Sequence, residues 1–320
     1  MLSVLNPMPS ILYHYERELV SQFDLLGVSH EFRSSGNIDA GFSRRKRAAS
    51  QLRSLAEVAL SSDPSLVLWP SFGYWDAVLC RASRGPYFVI VHDATPLRAQ
   101  FGMSARVGRL VGRALEERQN GRIIVHSHRS FRVLREMGWP EARVLAHPML
   151  SPRGADVGMS GRPRCVVFGQ YKPSRAVSML SGLRSRLPDW DLEIVGRGWP
   201  TIDGWKIDDR FVPEADVNRL VGSATVILIP YQEFFQSGVM VRAAELAVPV
   251  VTVRHEQTEM LYGTDWPGIV DGAVPASVAE AIRAAARMDR AAVLGRVRRA
   301  HSRVLEEWHS WASDVGLVGP

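Results

Sequence analysis

Cysteine is nearly missing from this chain: Cys80 and Cys165 are the two among 320 residues. That scarcity excludes a small fold stapled by disulfides and a zinc site built on cysteine, and it fits a reducing compartment. Long apolar runs are missing as well. None reaches the ~18–20 residues a membrane-crossing helix needs. The start, Met1-Leu-Ser-Val-Leu-Asn-Pro7, has no basic region ahead of an apolar stretch, so no secretory leader is expected. The expected location is cytoplasmic, with a peripheral place on the inner face of the membrane as its variant. Short internal repeats are absent. So are a Gly-x-x-x-x-Gly-Lys-Ser/Thr phosphate loop and a Gly-x-Ser-x-Gly elbow. Gly196-Arg-Gly198 lacks the third glycine of a dinucleotide fingerprint and lies far from the first strand.

What remains is the composition of an ordinary soluble protein, 46% hydrophobic and 22% charged. The length suggests two domains. Lys and Arg number 39 against 33 Asp and Glu, a net charge of +6. Such a surface favours anionic partners (nucleotide phosphates, acidic lipid or nucleic acid) or is simply well solvated. No nucleic-acid reader motif accompanies the charge, so no nucleic acid is expected.

Short apolar strands alternate with amphipathic helices. Strands are expected at 2–5, 65–69, 87–93, 122–127 and 144–147, and helices at 10–26, 43–60, 104–119 and 130–137. Ser10 and Gly27 would bound the first helix. Runs such as Phe88-Val-Ile-Val91 are apolar on both faces, as in a parallel sheet covered by helices. Residues 151–163, rich in Gly and Pro, read as a linker between a domain at 1–150 and one at 164–290. After it, strands are expected at 164–169, 192–196, 205–211, 225–231 and 249–254. Helices are expected at 174–187, 214–223, 237–247 and 278–286. A final basic helix falls within 291–320. The fold class is α/β with two open parallel sheets, whose ligands bind beyond the carboxyl ends of the strands.

Two strand-to-helix turns in the second half carry chemistry. In Phe168-Gly-Gln-Tyr-Lys-Pro-Ser-Arg175, Gly169 lets the backbone approach a ligand, and Lys172 and Arg175 set two cations at a helix start. That suits a diphosphate; it also suits a solvated turn. In Ile229-Pro-Tyr-Gln-Glu-Phe-Phe-Gln-Ser-Gly238, Ser237 and Gly238 begin the next helix, so their N–H groups could hold the same diphosphate. That helix would bury Val239, Ala243 and Leu246. In the first half, Val91-His-Asp-Ala-Thr-Pro96 ends a strand. His92 and Asp93 are either catalytic or sugar-binding groups, or make local hydrogen bonds. Ser127 is a further strand-end candidate. His126-Ser-His128 could offer two imidazoles to a metal, but no third ligand is visible and no metal site is expected.

These segments resemble the GT-B glycosyltransferases of the large group 1, or family-4-like, set. The resemblance covers most of the chain and is strongest from Gly169 to Glu259. Gly169-Gln-Tyr-Lys-Pro-Ser-Arg175 resembles the family's diphosphate-binding segment, which implies that role for Lys172 and Arg175. Val195-Gly-Arg-Gly198 resembles its Val-Gly-x-Gly turn, which brings in Gly196. Asp209-Arg-Phe-Val-Pro213 resembles the segment whose backbone, at Arg210, Phe211 and Val212, meets the nucleobase. Pro230-Tyr…Ser237-Gly238…Pro249-Val-Val resembles the donor-phosphate helix and the strand after it. Arg254-His-Glu-Gln-Thr-Glu259 resembles the following loop, with Glu259 at its acidic position. The chain departs from the pattern where two glutamates usually stand. Phe234 and Arg242 occupy those places, with Glu233 beside the first, which marks a divergent member.

The resemblance implies two Rossmann-like domains facing across a cleft, with the final helix packing back on the first. It implies a glycosyltransferase, hexosyltransferase-like and retaining, that uses no cofactor and no metal. Its donor would be a nucleoside-diphosphate sugar and its acceptor a glycan or lipid-linked molecule. The alternatives are a non-catalytic nucleotide-sugar-binding subunit and a nucleotide-sugar epimerase. An anionic membrane surface is a further expected partner, through Arg44, Arg45, Lys46 and Arg47 and through Arg106, Arg109 and Arg113.

Overall fold

The computed structural model describes residues 1–9, 11–34, 44–79, 83–96, 100–115, 123–139, 142–154 and 161–319. Ser10, Ser43, Cys80 and residues 116–122 and 155–160 lie outside the described residues. The chain forms two compact units, Met1–Pro148 with Val304–Pro320, and Met149–Arg303.

The first unit is built on β1 (Leu2–Asn6), β2 (His30–Ser34), β3 (Ser65–Val67), β4 (Tyr87–Ile90), β5 (Ile123–Val125) and β6 (Arg143–Val144). They form one parallel sheet in the order β2-β1-β3-β4-β5-β6. The inner strands β1, β3, β4 and β5 are buried at every residue; β4 and β5 are unbroken apolar runs, and β1 and β3 bury Ser3, Asn6 and Ser65 among theirs. Around them lie α1 (Tyr13–Leu25), α2 (Arg44–Leu60), α3 (Trp75–Leu79), α4 (Ala105–Leu115) and α5 (His128–Glu136). Two elements carry little sequence signal. β2 is an edge strand whose His-Glu-Phe-Arg-Ser exposes Glu31 and Arg33, so it shows no apolar run. α3 is five residues long, too short for a helical period. The N-cap position of the first helix is Leu12, with no side-chain bond, while Gly27 takes φ +67° just past its end.

The second unit repeats the plan with β7 (Arg164–Phe168), β8 (Asp191–Val195), β9 (Lys206–Asp208), β10 (Val226–Ile229), β11 (Val250–Val253) and β12 (Ile269–Val270). Its parallel order is β12-β11-β10-β7-β8-β9. The helices are α6 (Val177–Ser181), α7 (Glu214–Gly222), α8 (Gly238–Glu245), α9 (Glu256–Tyr262), α10 (Pro275–Ala286) and α11 (Arg290–Asp314). Residues 254–259, expected as a loop, instead enter α9, whose start is capped by His255 accepting from the Gln257 N–H. The expected helix at 174–187 shrinks to α6, so Lys172 and Arg175 precede the helix rather than open it. In α8, Ala243 is buried as expected, whereas Val239 and Leu246 are half-buried.

α11 ends among the residues of the first unit. There Trp308 and Trp311 are fully buried, with Trp308 edge-on to Phe23 and Trp311 edge-on to Phe88. The Trp308 Nε1–H donates to the Ala146 carbonyl at 3.0 Å. Each large aromatic buried this way contributes more than any other side-chain type to the core. Among the described residues, no helix is long and apolar enough to cross a membrane.

Candidate functional site

Parallel strands aim their carboxyl ends at one edge of the sheet, and in the second unit two glycines shape that edge. Gly169 follows β7 with φ +115°, and Gly196 follows β8 with φ +151°. A Cβ at Gly196 would lie 2.2 Å from the Gly169 carbonyl oxygen, so only glycine lets the two strand ends touch. A Cβ at Gly169 would meet open space. The Trp199 Nε1–H donates to the Gly169 carbonyl at 2.8 Å, and Tyr171 N–H donates to the Arg197 carbonyl at 2.9 Å. Past β9, Asp209 accepts from the Gly198 N–H at 2.9 Å. Arg210 is tied to Asp208 at 2.6 Å, and Val212 is buried. Phe211 is 66% exposed, with the Arg197 guanidinium 5.1 Å from its ring centre.

Arg175 is the unusual member of this edge. Its side chain is 8% exposed, and the guanidinium lies 3.3 Å from the centre of the Tyr231 ring. Among the described residues no carboxylate pairs with it. Its Nε–H has no acceptor among the described residues, and the hydrogen bond its guanidinium donates to the Gln170 carbonyl is long at 3.5 Å. Burial lowers its pKa, because a guanidinium removed from water loses hydration. The Tyr231 face returns part of that loss as a cation–π contact. Tyr231 in turn hydrogen-bonds Ser237, and burial raises its own pKa above the usual phenol value. Tyr231 therefore connects Arg175 to the amino end of α8. Lys172 is exposed in the same turn, where its carbonyl accepts from the Arg175 N–H at 3.0 Å.

At α8 the structure amends one expectation. The Ser237 N–H does not stand open: it donates to Gln257 Oε1 at 2.8 Å, and the Ser237 hydroxyl caps the helix by accepting from Met240 N–H at 3.4 Å. Gly238, exposed and with open space at its Cβ position, presents the first helical N–H. Glu233 is exposed in the loop before it. Glu259, on α9, pairs with Arg254 at 2.8 Å, and Arg254 also holds Asp271. His255 stacks on Phe234 at 3.8 Å and donates from Nε2 to the Phe234 carbonyl. Arg242 turns away to α7, where it pairs with Glu214 and bonds Asn218. Glu245 accepts from the Leu150 N–H at 2.7 Å, fastening the start of the unit.

In the first unit, the strand ends carry a buried aromatic and imidazole cluster. His92 follows β4; its Nε2–H donates to the Leu68 carbonyl at 2.9 Å, and its ring stacks on Trp69 and meets Tyr15 edge-on. Burial and the neighbouring His147 lower its pKa to about 3, so it is neutral at pH 7. His126 follows β5, donating from Nδ1 to the Leu145 carbonyl and accepting from the Tyr15 hydroxyl at 2.7 Å. It too is held neutral by burial. Both its ring nitrogens are thus engaged within the fold, and His128 is exposed on the next helix. Ser127 caps α5 by accepting from the Ser130 N–H at 3.1 Å. Asp93 is half-buried beside His92.

Tyr231, Gln257, Trp199 and Tyr15 were not singled out by sequence. Tyr231 stands within the Pro-Tyr…Ser-Gly stretch and could have been found there. The other three meet their partners only through the tertiary fold.

Two six-stranded parallel sheets with these connections define the GT-B glycosyltransferase fold. No protein-family model and no curated protein sequence matches the chain. Solved structures do. A trehalose-phosphate synthase (UDP-forming) from Burkholderia vietnamiensis matches with TM-score 0.64 and 12% identity, over 99% of each chain. HepE from Anabaena, solved with UDP and glucose, matches with TM-score 0.60 and 12% identity over 95% of each chain. A TarM variant from S. aureus, solved with fondaparinux, alpha-GlcNAc-glycerol and UDP, matches with TM-score 0.62 and 11% identity over 82% of this chain. The chain spans 58% of that TarM, under two thirds of its length.

Proposed function

We propose that this chain is a retaining glycosyltransferase that moves a sugar from a nucleoside-diphosphate sugar to a hydroxyl of a glycan or lipid-linked acceptor, without a metal. The observation that carries the reading is Arg175: a buried guanidinium with no carboxylate partner among the described residues, joined through Tyr231 to the amino end of α8. A buried charge is costly unless paired, so the site is built for an anion that arrives with the substrate. A diphosphate satisfies it. Arg175 and Lys172 would neutralise the diphosphate as it leaves, with the Gly238 N–H at the positive end of the helix. Gly169 leaves the strand end clear for the donor, and Gly196 lets the two strand ends close on each other beneath it. The base would lie along Arg210, Phe211 and Val212, and Glu233 and Glu259 would bind sugar hydroxyls. UDP in the TarM and HepE structures supports a nucleotide donor.

The first unit would receive the acceptor. A group with a pKa near 3 is a poor proton acceptor at neutral pH. His92, with Asp93, therefore binds hydroxyls as a neutral imidazole, which agrees with a retaining reaction that needs no side-chain base.

The test is a thermal-shift series with UDP-, GDP- and ADP-sugars on the full chain and on Arg175→Ala. Bound donor stabilises by mass action. One donor class should raise the melting temperature of the wild type and that of the variant markedly less, and transfer should persist in EDTA. An equal shift in both proteins sinks the diphosphate assignment.

A membrane-bound acceptor would add a docking surface. α4 supports one: Arg106, Arg109 and Arg113 are exposed beside Leu110, with Phe101 exposed just before the helix. Arg44, Arg45, Lys46 and Arg47 form the first turn of α2, where no acidic residue offsets the helix dipole. Co-sedimentation with phosphatidylglycerol vesicles should fall when Arg106, Arg109 and Arg113 become Gln. Binding that survives those changes would remove α4 from the surface.

A further inference from the structure

The second unit carries another concentration of arginine, remote from Arg175. α9 starts beyond the carboxyl end of β11 and runs back to Tyr262, and β12 begins shortly after at Ile269. The carboxyl end of α9 therefore lies at the opposite edge of the sheet from Gly169, Gly196 and Ser237. There Gly263, Asp265, Arg296, Arg299 and Arg303 line an open pocket of about 340 Å³. The three arginines stand on α11 at i, i+3 and i+7, so they share one face of the helix.

Two of them have structural duties. Arg296 grips Asp265 with both nitrogens at 2.6 and 2.9 Å and donates to the Tyr262 carbonyl at 2.8 Å. Arg303 donates to the Met260 carbonyl at 2.7 Å. These bonds satisfy carbonyls that the end of α9 leaves without intrahelical partners. They do not balance the charge. Arg296 and Asp265 neutralise each other. Among the described residues, no carboxylate pairs with Arg299 or Arg303, which leaves two positive charges on the wall. An arginine has five N–H donors, and Arg303 spends one on the fold. Gly263 keeps the space open: at φ +100°, a Cβ there would lie 2.8 Å from both Arg296 Nη1 and Asp265 Oδ1. Arg296 and Arg303 are thus tied beside a concavity of the size that small ligands occupy, with Arg299 exposed on the same wall.

We infer that this pocket is a second anion site, formed by Arg299 and Arg303 beside the Arg296–Asp265 pair, and that its ligand is a multivalent phosphoanion. Planar guanidinium forks match phosphate oxygens in pairs, and the concavity exceeds what a single halide fills. The site is independent of Arg175 and of any donor bound there.

The probe is pyrophosphate, titrated calorimetrically into the full-length Arg175→Ala protein so that the other edge of the sheet is weakened. Saturable binding should remain. Adding Arg299→Ala and Arg303→Ala should weaken it at least about tenfold, as loss of charge-assisted hydrogen bonds does. Asp265→Asn should act in the opposite direction and tighten binding several-fold, because it frees Arg296 and removes the negative charge from the wall. A merely structural role for Asp265 would produce no tightening, so this variant decides the matter if the arginine pair proves necessary for folding. Absence of saturable binding in Arg175→Ala overturns the site. So does an isotherm that neither the arginine pair nor Asp265→Asn moves.

Discussion

Arg175 and Tyr231 show how much one side chain depends on its surroundings. A guanidinium 8% exposed, with an idle Nε–H and an aromatic face beneath it, is held in place before any anion arrives. Such pre-organisation lowers the ordering cost of binding. Charge alone does not reproduce it, since an ammonium offers no planar fork and stacks poorly on a ring. Arg175→Ala should weaken donor binding about 10- to 100-fold, the worth of one or two charge-assisted bonds. Arg175→Lys should fall between that variant and the wild type. Lysine equal to arginine in the same titration would mean that the Tyr231 stack has no part in binding. The cation itself was legible in the sequence, as a basic residue just past a glycine at a strand end. Its burial and its partner were not, because Tyr231 arrives from a different strand.

At the scale of elements, α8 and α9 hold each other. Gln257 on α9 receives the Ser237 N–H at the start of α8, a bond that replaces the open donor expected there. Arg242 departs from the usual glutamate for a reason the structure supplies: it fastens α8 to α7 through Glu214 and Asn218. That tie accounts for the arginine within the fold of the second unit. Arg242→Ala should destabilise the second unit by about 1–3 kcal/mol, because it strips partners from a half-buried carboxylate and an amide. The donor-induced thermal shift should survive the substitution. Its disappearance would place Arg242 in the site. The family resemblance implies a loop over 254–259, where the structure has the start of α9. Its helix is set by the His255 cap and by packing of Leu261 and Tyr262.

Across the molecule, the buried histidines of the first unit set how stability responds to acid. The pKa of His92 falls from 6.5 in the unfolded chain to about 3 in the folded one, so between those values the unfolded state binds more protons. Stability from this group is complete above pH 6.5 and is lost as pH falls toward 3. His126, shifted in the same direction, adds to the slope, whereas Asp76, raised by burial to about 7, opposes it. His92→Gln should flatten the fall in unfolding free energy between pH 6.5 and 3, measured by urea titration at each pH. An unchanged slope would show that His92 takes up a proton without unfolding.

The repeating strand and helix periods of the sequence were enough to determine two parallel α/β sheets, because strands buried on both faces are mostly apolar. The glycines at the strand ends and the cations beside them were equally plain, since a backbone turn and a charge are local properties. Tertiary structure alone decided which cation is buried, that Ser237 N–H belongs to Gln257, that Arg242 is a fastening, and that Arg299 and Arg303 face a cavity. Each of these depends on residues distant in the chain meeting in space, and hydrogen-bond partners and desolvation exist only after that meeting.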